Sequence, residues 1–571
     1  MKISKNSEIV LRKRYLLRDK NLDIIETPRQ LFRRVAKTIS DVEFNYGKNK
    51  AEVAKLKRKF YKMITEFKFL PNSPTLMNAG TEIGQLSACF VLPVDDDITA
   101  IFEAVKQTAI IHKSGGGTGF SFSRLRPKND VVKKTGGVAS GPLSFMRVFD
   151  CGTDVIKQGG KRRGANMGIL RVDHPDIMDF IASKEKEGNL SNFNLSVGIT
   201  DEFIEAVKKD SDFNLINPRT KKVVKTMRAR TIWCSLTYMS WNNGEPSIIF
   251  LDTINRTNPT PEIGEFEATN PCGETPLLDY ESCNLGSINL SKFYRNKKNG
   301  QSIDWIKLRE IIRLAVRFLD NIVDVNKYPL PQIREATLAN RKIGLGVMGW
   351  ADLLLKLHIR YDSQKALNLA EKIMSFIQIE GREMSRKLAK ERGNFPNKDK
   401  SIYKNEEYMR NATITTVAPT GTISIIANTS QGIEPIFAIY TKRNVKESLG
   451  VNLYEINSCV REFLKFKGVW KQEMEKNTSG CLMLPPELRK ILVTAHKVSP
   501  EWQIKMQAAF QKYTDNAVSK TVNMTFDTEV KEIEQIYLLA HSLGCKGTTV
   551  YRNGSRENQL LEDIGGCPTC D

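Results

Sequence analysis

Asn270-Pro271-Cys272-Gly273-Glu274 brings an amide, a thiol and a carboxylate within five residues. Proline and glycine favour a tight loop over a helix at this point. In an extended loop tip, Cys272 and Glu274 stand two apart and point to the same side. A carboxylate beside a thiol opposes thiolate by like-charge repulsion. That suits a hydrogen-atom donor better than an ionic nucleophile. An ordinary turn with a buried cysteine is the plainer reading of the pentapeptide alone.

Other cysteines widen the chemistry. Cys283 follows in ESCNLGSINL, and Cys89 lies far upstream in LSACFVLP. Taken singly, each reads as a core cysteine, and spacing does not show that they meet. Cys567-Pro568-Thr569-Cys570 ends the chain as a C-x-x-C pair. Such a pair is a dithiol–disulfide couple when exposed. On a flexible tail a structural staple would secure nothing, so a redox shuttle is the economical reading. Five scattered histidines and no second C-x-x-C give no zinc pattern, and no metal site is expected.

Three turns could cradle an anion. Ala418-Pro419-Thr420-Gly421-Thr422-Ile423-Ser424 follows the strand-like ATITTV and offers hydroxyls and free backbone N–H groups. Asn72-Ser73-Pro74-Thr75 is a second hydroxyl-rich turn. Ser114-Gly115-Gly116-Gly117-Thr118-Gly119 lacks the Lys-Ser/Thr ending of a phosphate-binding ATPase loop. Gly344-Leu345-Gly346-Val347-Met348-Gly349 satisfies G-x-G-x-x-G, but its lead-in TLANRKI is polar and no clean second strand supplies the acid. A dinucleotide site is not expected there.

These residues need a scaffold, and 571 residues suffice for one large domain or several ordinary ones. Hydrophobic residues at 40% and charged residues at 26% fit a globular protein. No apolar run reaches membrane-spanning length. The opening MKISKNSEIVLRKR has no apolar segment behind its basic residues, so cytoplasm is the default and ten cysteines are not a disulfide framework. The net charge of +21 would attract polyanions, but no motif turns it into a nucleic-acid site.

Residues 1–70 read as a helical region. Thr27-Pro28-Arg29-Gln30 is a capping box opening a stripe of Leu31, Val35 and Ile39, and a second stripe runs Val53, Leu56, Phe60, Ile64 and Phe67. From Pro71 to residue 550, strand-like runs alternate with helices: CFVLP (89–93), GFSFS (119–123), SNFNLSVGI (191–199), PSIIF (246–250) and ATITTVA (412–418). The clearest helix is WIKLREIIRLAVRFLDNIVDV (305–325). The alternation predicts an α/β fold with a largely parallel sheet or barrel. Residues 551–571 read as a polar, flexible tail.

Taken in order, PNSPTLMNAG (71–80), SACFVLPVDDDI (87–98), GGGTGFSFSRLRP (115–127), KQGGKRRGANMGIL (157–170), NPCGE, CNLGSINL (283–290), RKIGLGVMGWADLL (341–354), APTGTISIIA (418–427) and the terminal C-x-x-C resemble the catalytic subunit of ribonucleotide reductases. The resemblance is to the adenosylcobalamin-dependent, class II branch. It implies a ten-stranded α/β barrel, two parallel five-stranded halves set antiparallel, with NPCGE at the tip of a central finger loop. It implies reduction of ribonucleotides, diphosphates by overall resemblance, to 2′-deoxyribonucleotides. Cys272 would be the thiyl radical, Glu274 the base at the 3′-hydroxyl and Asn270 its hydrogen-bonding partner. Cys89 and Cys283 would supply the reducing equivalents and close into a disulfide. Cys567 and Cys570 would reopen it, themselves recharged by a thioredoxin or glutaredoxin. Substrate phosphates would sit on Ser73, Thr420, Gly421, Thr422 and Ser424. A deoxynucleoside triphosphate effector at a homodimer interface would meet Asp96, Arg126 and the loop Lys157–Ala165, including Lys157, Gln158 and Arg162. Asp95 and Asp97 flank Asp96, and the sequence leaves open which one matters. Only about seventy residues precede PNSPTL, so the family's regulatory ATP-cone is not expected.

The nearest rival is a class I large subunit, whose radical comes from a separate metal-containing protein. Those subunits carry two adjacent tyrosines in a segment that matches Gly547-Thr548-Thr549-Val550-Tyr551-Arg552. Val550 replaces the first, and an aliphatic side chain cannot relay a radical. The resemblance therefore favours adenosylcobalamin. A basic nucleic-acid-binding protein and an NAD oxidoreductase rest on charge alone and on GLGVMG alone.

Overall fold

The computed structural model describes residues 1, 3–132, 136–158, 162–297, 300–468, 470, 485–556 and 559–564. Helix α1 (Pro28–Asp41) begins at the expected capping box: Gln30 N donates to Thr27 Oγ1 at 3.3 Å and Thr27 N to Gln30 Oε1 at 2.8 Å. Asn49 and Glu52 cap α2 (Lys50–Thr65) the same way. Leu31, Val35, Ile39, Phe60 and Ile64 are buried, while Leu56 is half-buried and Phe67 lies past the helix end. These faces share one core with α3 (Trp305–Val325), which spans the segment read from its apolar stripe, so the helical region closes over the α/β part. Charge secures the join. Arg392 pairs with Glu43 from the helical region and, at 2.9 Å, with Asp320 on α3. Burial works to raise the Asp320 pKa, but Arg341, Arg410 and Arg392 outweigh it and hold the carboxylate well below its usual range.

The main sheet is assembled from β1 (Phe69–Pro71), β2 (Cys89–Val91), β3 (Gly117–Ser121), β4 (Asn166–Arg171), β5 (Phe193–Ile199), β6 (Ser247–Phe250), β7 (Ser282–Asn289), β8 (Ile343–Met348), β9 (Thr521–Met524) and β10 (Gly547–Arg552). Strands β2 to β6 pair in parallel, one after another. Strand β7 pairs in parallel with β8. From β8 the parallel run continues through single bridges, Leu345 to Thr415 and Val417 to Val518, and ends in β9 with β10. The two halves meet antiparallel twice, β2 on β7 and β6 on β10. The circuit therefore closes: two parallel halves of five, with β1 an extra antiparallel strand on β7.

Differences from the sequence reading have local causes. ATITTVA contributes only the bridges at Thr415 and Val417. GLGVMG lies within β8 and just beyond it. At Gly346 an added Cβ would stand 2.0 Å from the Thr416 carbonyl oxygen, so glycine is needed for strand approach, not for a dinucleotide. The chain beyond Tyr551 does not leave the body at once: Arg552 ends β10, and Leu561–Asp563 pairs with Tyr440–Arg443.

Candidate active site

Between β6 and β7 a short hairpin, Ala268–Thr269 against Pro276–Leu277, carries NPCGE at its tip. The hairpin threads the barrel. An added Cβ at Gly119 on β3 would lie 1.7 Å from the Thr269 carbonyl oxygen, so the wall is stripped to backbone where the finger passes. The tip is a tight turn, not an extended segment: Gly273 N donates to Asn270 O at 3.0 Å, and Gly273 has φ +78°. The extended geometry expected of the tip is therefore replaced by a turn. Cys272 is exposed, whereas Glu274 is 3% exposed and accepts Asn270 Nδ2 at 2.7 Å. Asn270 also takes Thr275 N on its Oδ1 at 3.0 Å, so it staples both ends of the turn.

Both barrel halves hold the tip. Ala517 N, just before β9, donates to Glu274 O at 2.9 Å. Asn194 Nδ2 on β5 donates to Pro271 O at 2.7 Å. Asn194 escaped the sequence reading, although an amide in the strand-like part of SNFNLSVGI was the available signal.

Cys89 and Cys283 are buried and directly opposite each other where β2 meets β7. Opposed residues of an antiparallel pair have Cβ atoms about 4.5–5.5 Å apart, near the span of a disulfide. Burial pushes the Cys89 thiol well up, and Glu274, Cys283 and Cys272 add to that, with Thr275 Oγ1 donating to its sulfur at 3.7 Å. Burial also raises the Cys283 thiol. Two protonated thiols thus face each other in the wall behind the finger tip. A cavity of about 540 Å³ opens in front of it, lined by Cys272, Asn194, Ser196, Glu245, Ser519 and Tyr551 among others.

The anion-site candidates are polar turns of uneven exposure. Thr420 is buried with φ +57°, and its hydroxyl accepts Gly432 N at 2.7 Å. Gly421 and Thr422 lead into the short helix Ile423–Ala427, inside which Ser424 Oγ donates to Gly421 O at 3.4 Å. That helix packs against β1, which runs into Ser73, whose hydroxyl lies 2.7 Å from Tyr15 Oη.

The three aspartates divide their work. Asp96 takes Arg126 Nε at 2.8 Å and Arg126 N at 3.2 Å. Asp95 pairs with Arg124, and Asp97 caps the helix Ile98–Lys113. The backbones of Lys157–Gln158 and Arg162–Arg163 pair antiparallel. Cys567 and Cys570 lie outside the described residues.

The chain matches the ribonucleotide reductase all-alpha domain over residues 1–84 and the ribonucleotide reductase barrel domain over residues 87–409 and 404–551. A vitamin B12-dependent ribonucleoside-diphosphate reductase of Thermoplasma acidophilum is 49% identical, over 98% of this chain and 80% of that protein. The protein of the same name from Mycobacterium tuberculosis (strain CDC 1551 / Oshkosh) is 45% identical, over 100% of this chain and 82% of its own. Among solved structures, the Actinobacillus ureae class Id ribonucleotide reductase alpha subunit superposes with a TM-score of 0.77 at 24% identity, covering 96% of this chain and 97% of that one, which speaks to the fold. With its barrel closed around a cysteine-tipped finger and its length matched by both domains, the chain belongs to the ribonucleotide reductase family.

Proposed function

We propose that this chain reduces ribonucleoside diphosphates to 2′-deoxyribonucleotides by thiyl-radical chemistry, with adenosylcobalamin as its cofactor. The carrying observation is the placement of three thiols: Cys272 exposed at the finger tip, Cys89 and Cys283 paired in the wall behind it. Cys272, as a thiyl radical, takes the 3′-hydrogen of the ribose. Glu274 accepts the 3′-hydroxyl proton, oriented by Asn270 Nδ2. Cys89 and Cys283 then give two electrons and close into a disulfide as the 2′-hydroxyl leaves as water. Cys567 and Cys570 reopen that disulfide by exchange, and a thioredoxin or glutaredoxin reopens theirs. Ser73 and the Thr420–Ser424 turn hold the substrate phosphates.

The cavity before Cys272 suits an adenosyl group. Ser196 Oγ and Tyr551 Oη line it, buried and without a hydrogen-bond partner among the described residues, and so are available to a sugar or base. Bound there, adenosylcobalamin supplies a homolysing cobalt–carbon bond as the radical source. Val550 is buried against Val522, so the position before Tyr551 holds an aliphatic side chain where a class I relay needs a tyrosine.

Asp96, Arg126, Lys157, Gln158 and Arg162 form the site for a deoxynucleoside triphosphate effector in a homodimer. Asp96 holds the Arg126 guanidinium through its Nε, and a guanidinium is suited to bidentate phosphate binding. Among the described residues no helix is long and apolar enough to cross a membrane.

The test is turnover of a ribonucleoside diphosphate with adenosylcobalamin, dithiothreitol and effector, and no second protein. Deoxynucleotide should form, with a paramagnetic signal that is lost in Cys272→Ser. Inactivity that only a metal-containing partner protein relieves would overturn the cofactor assignment.

A further inference from the structure

A second chamber adjoins the cavity before Cys272. It holds about 240 Å³ and shares Gln431, Glu434, Phe437 and Thr521 with that cavity. Ser424, the last residue of the turn read as a phosphate cradle, lines it as well. Thr429, Thr441 and Asn457 add hydroxyls and an amide to its wall.

One charge in this chamber lacks its counterpart. Arg443, which ends the strand Tyr440–Arg443, is 8% exposed and lines the chamber. Its Nε has no hydrogen-bond partner among the described residues. With the Gln431 amide turned so that its oxygen faces the guanidinium, that oxygen accepts Nη1 at 3.1 Å and Nη2 at 2.5 Å. An amide oxygen accepts hydrogen bonds but brings no negative charge. Among the described residues no carboxylate forms an ion pair with Arg443; Glu455 acts on it only from further off. Burial pulls the Arg443 pKa down and pushes the Glu455 carboxyl up, so each opposes its own charged form. Lys520, on the wall of the neighbouring cavity, shows the contrast. It is buried too, but its Nζ lies 2.5 Å from Glu434 Oε2, which also neutralises the carboxylate shared by both chambers. A buried cation without a counter-charge is costly, and a ligand that supplies the charge removes the cost.

We propose that Arg443 anchors a phosphate group carried by a ligand of the cavity before Cys272. This rests on the reading of that cavity as the place of the radical reaction. The guanidinium offers a planar fork with Nε open, the geometry that meets two phosphate oxygens at once. Two ligands of the reaction bring such a group. The ribonucleoside diphosphate would reach the chamber past Ser424, and adenosylcobalamin would reach it with the phosphodiester of its nucleotide loop. No bond is made or broken at Arg443; it is a binding residue.

The experiment therefore reads binding and not turnover. Arg443→Gln and the wild type are titrated by calorimetry with four ligands. These are a ribonucleoside diphosphate, the matching ribonucleoside, adenosylcobalamin, and adenosylcobinamide, which lacks the phosphodiester and its base. At least one phosphate-bearing ligand should bind about tenfold more weakly to the variant, while its phosphate-free counterpart binds both proteins equally. Weakening of the diphosphate names the substrate as the source, and weakening of adenosylcobalamin names the cofactor. Arg443→Lys keeps the charge without the fork, should show the same pattern more mildly, and carries the test if the glutamine variant does not fold. Equal binding of all four ligands to wild type and variant would overturn the proposal. So would equal weakening of a ligand and its phosphate-free counterpart. If the wild type binds neither the diphosphate nor adenosylcobalamin, the proposed reaction falls and this proposal falls with it.

Discussion

Cys272 stands exposed at the tip of a loop threaded through the barrel, whereas Cys89 and Cys283 lie buried in the barrel wall behind it. The loop thiol is held by many separate contacts: the Asn270–Gly273 turn, Asn270 to Thr275, Asn194 to Pro271 and Ala517 to Glu274. Each contributes about 0.5–1.5 kcal/mol net. The wall thiols need no such staples, because strand register alone opposes them. The difference teaches how one side chain serves two reactions. A radical must reach substrate, so its thiol is presented to the cavity; a dithiol must react with its twin, so its thiols are locked together away from water.

Breaking the loop side should have the largest effect. In Cys272→Ser the hydroxyl O–H bond is too strong to be made and broken in the hydrogen transfer, so turnover should fall to background while nucleotide binding, followed by equilibrium dialysis, persists. Substantial turnover would remove Cys272 from the mechanism and dissolve the contrast. A subtler break leaves every thiol in place. In Gly119→Ala the new methyl would meet the Thr269 carbonyl oxygen at 1.7 Å, and neither backbone can yield cheaply. The finger should shift by about an ångström and turnover drop about 100-fold. Circular dichroism should remain native, and chemical oxidation should still join Cys89 to Cys283, since the register of β2 on β7 is untouched. Full activity would show that the tip does not depend on this close passage.

Much of this arrangement was legible in the sequence, for reasons that differ by element. Helix α3 declared both ends through its apolar period, and α1 through its capping box. The ten-strand circuit and the finger came through ordered motifs and their resemblance to a family, not through periodicity; ATITTVA read as strand-like, yet it makes only single bridges, at Thr415 and Val417. The tip was read as extended, whereas a positive φ at Gly273 closes it into a turn. Asp96 could be separated from Asp95 and Asp97 only by the partner each finds: Arg126, Arg124 and a helix N-terminus. Arg443 gave no signal in the sequence, because a basic residue short of a counter-charge is recognisable only once its burial is known.

The smallest expected effect lies where loop and wall touch. Thr275 follows the finger tip, and its hydroxyl donates to Cys89 Sγ at 3.7 Å. That bond favours the Cys89 thiolate, against burial and the carboxylate of Glu274. Thr275→Val keeps the shape and removes the donor, so the Cys89 thiol should be pushed higher still and its thiolate become a poorer leaving group. The step that releases Cys89 from a mixed disulfide should then slow about two- to fivefold, while a single turnover from prereduced enzyme is unchanged. Quenched-flow alkylation with peptide mapping would follow the Cys89 adduct, which should persist longer in Thr275→Val and decay normally in Thr275→Ser, where the hydroxyl remains. Equal decay in both variants would mean that the finger positions Cys272 without touching the redox behaviour of the wall. Slowing in Val but not in Ser would make this one hydroxyl the link between the two thiol regions.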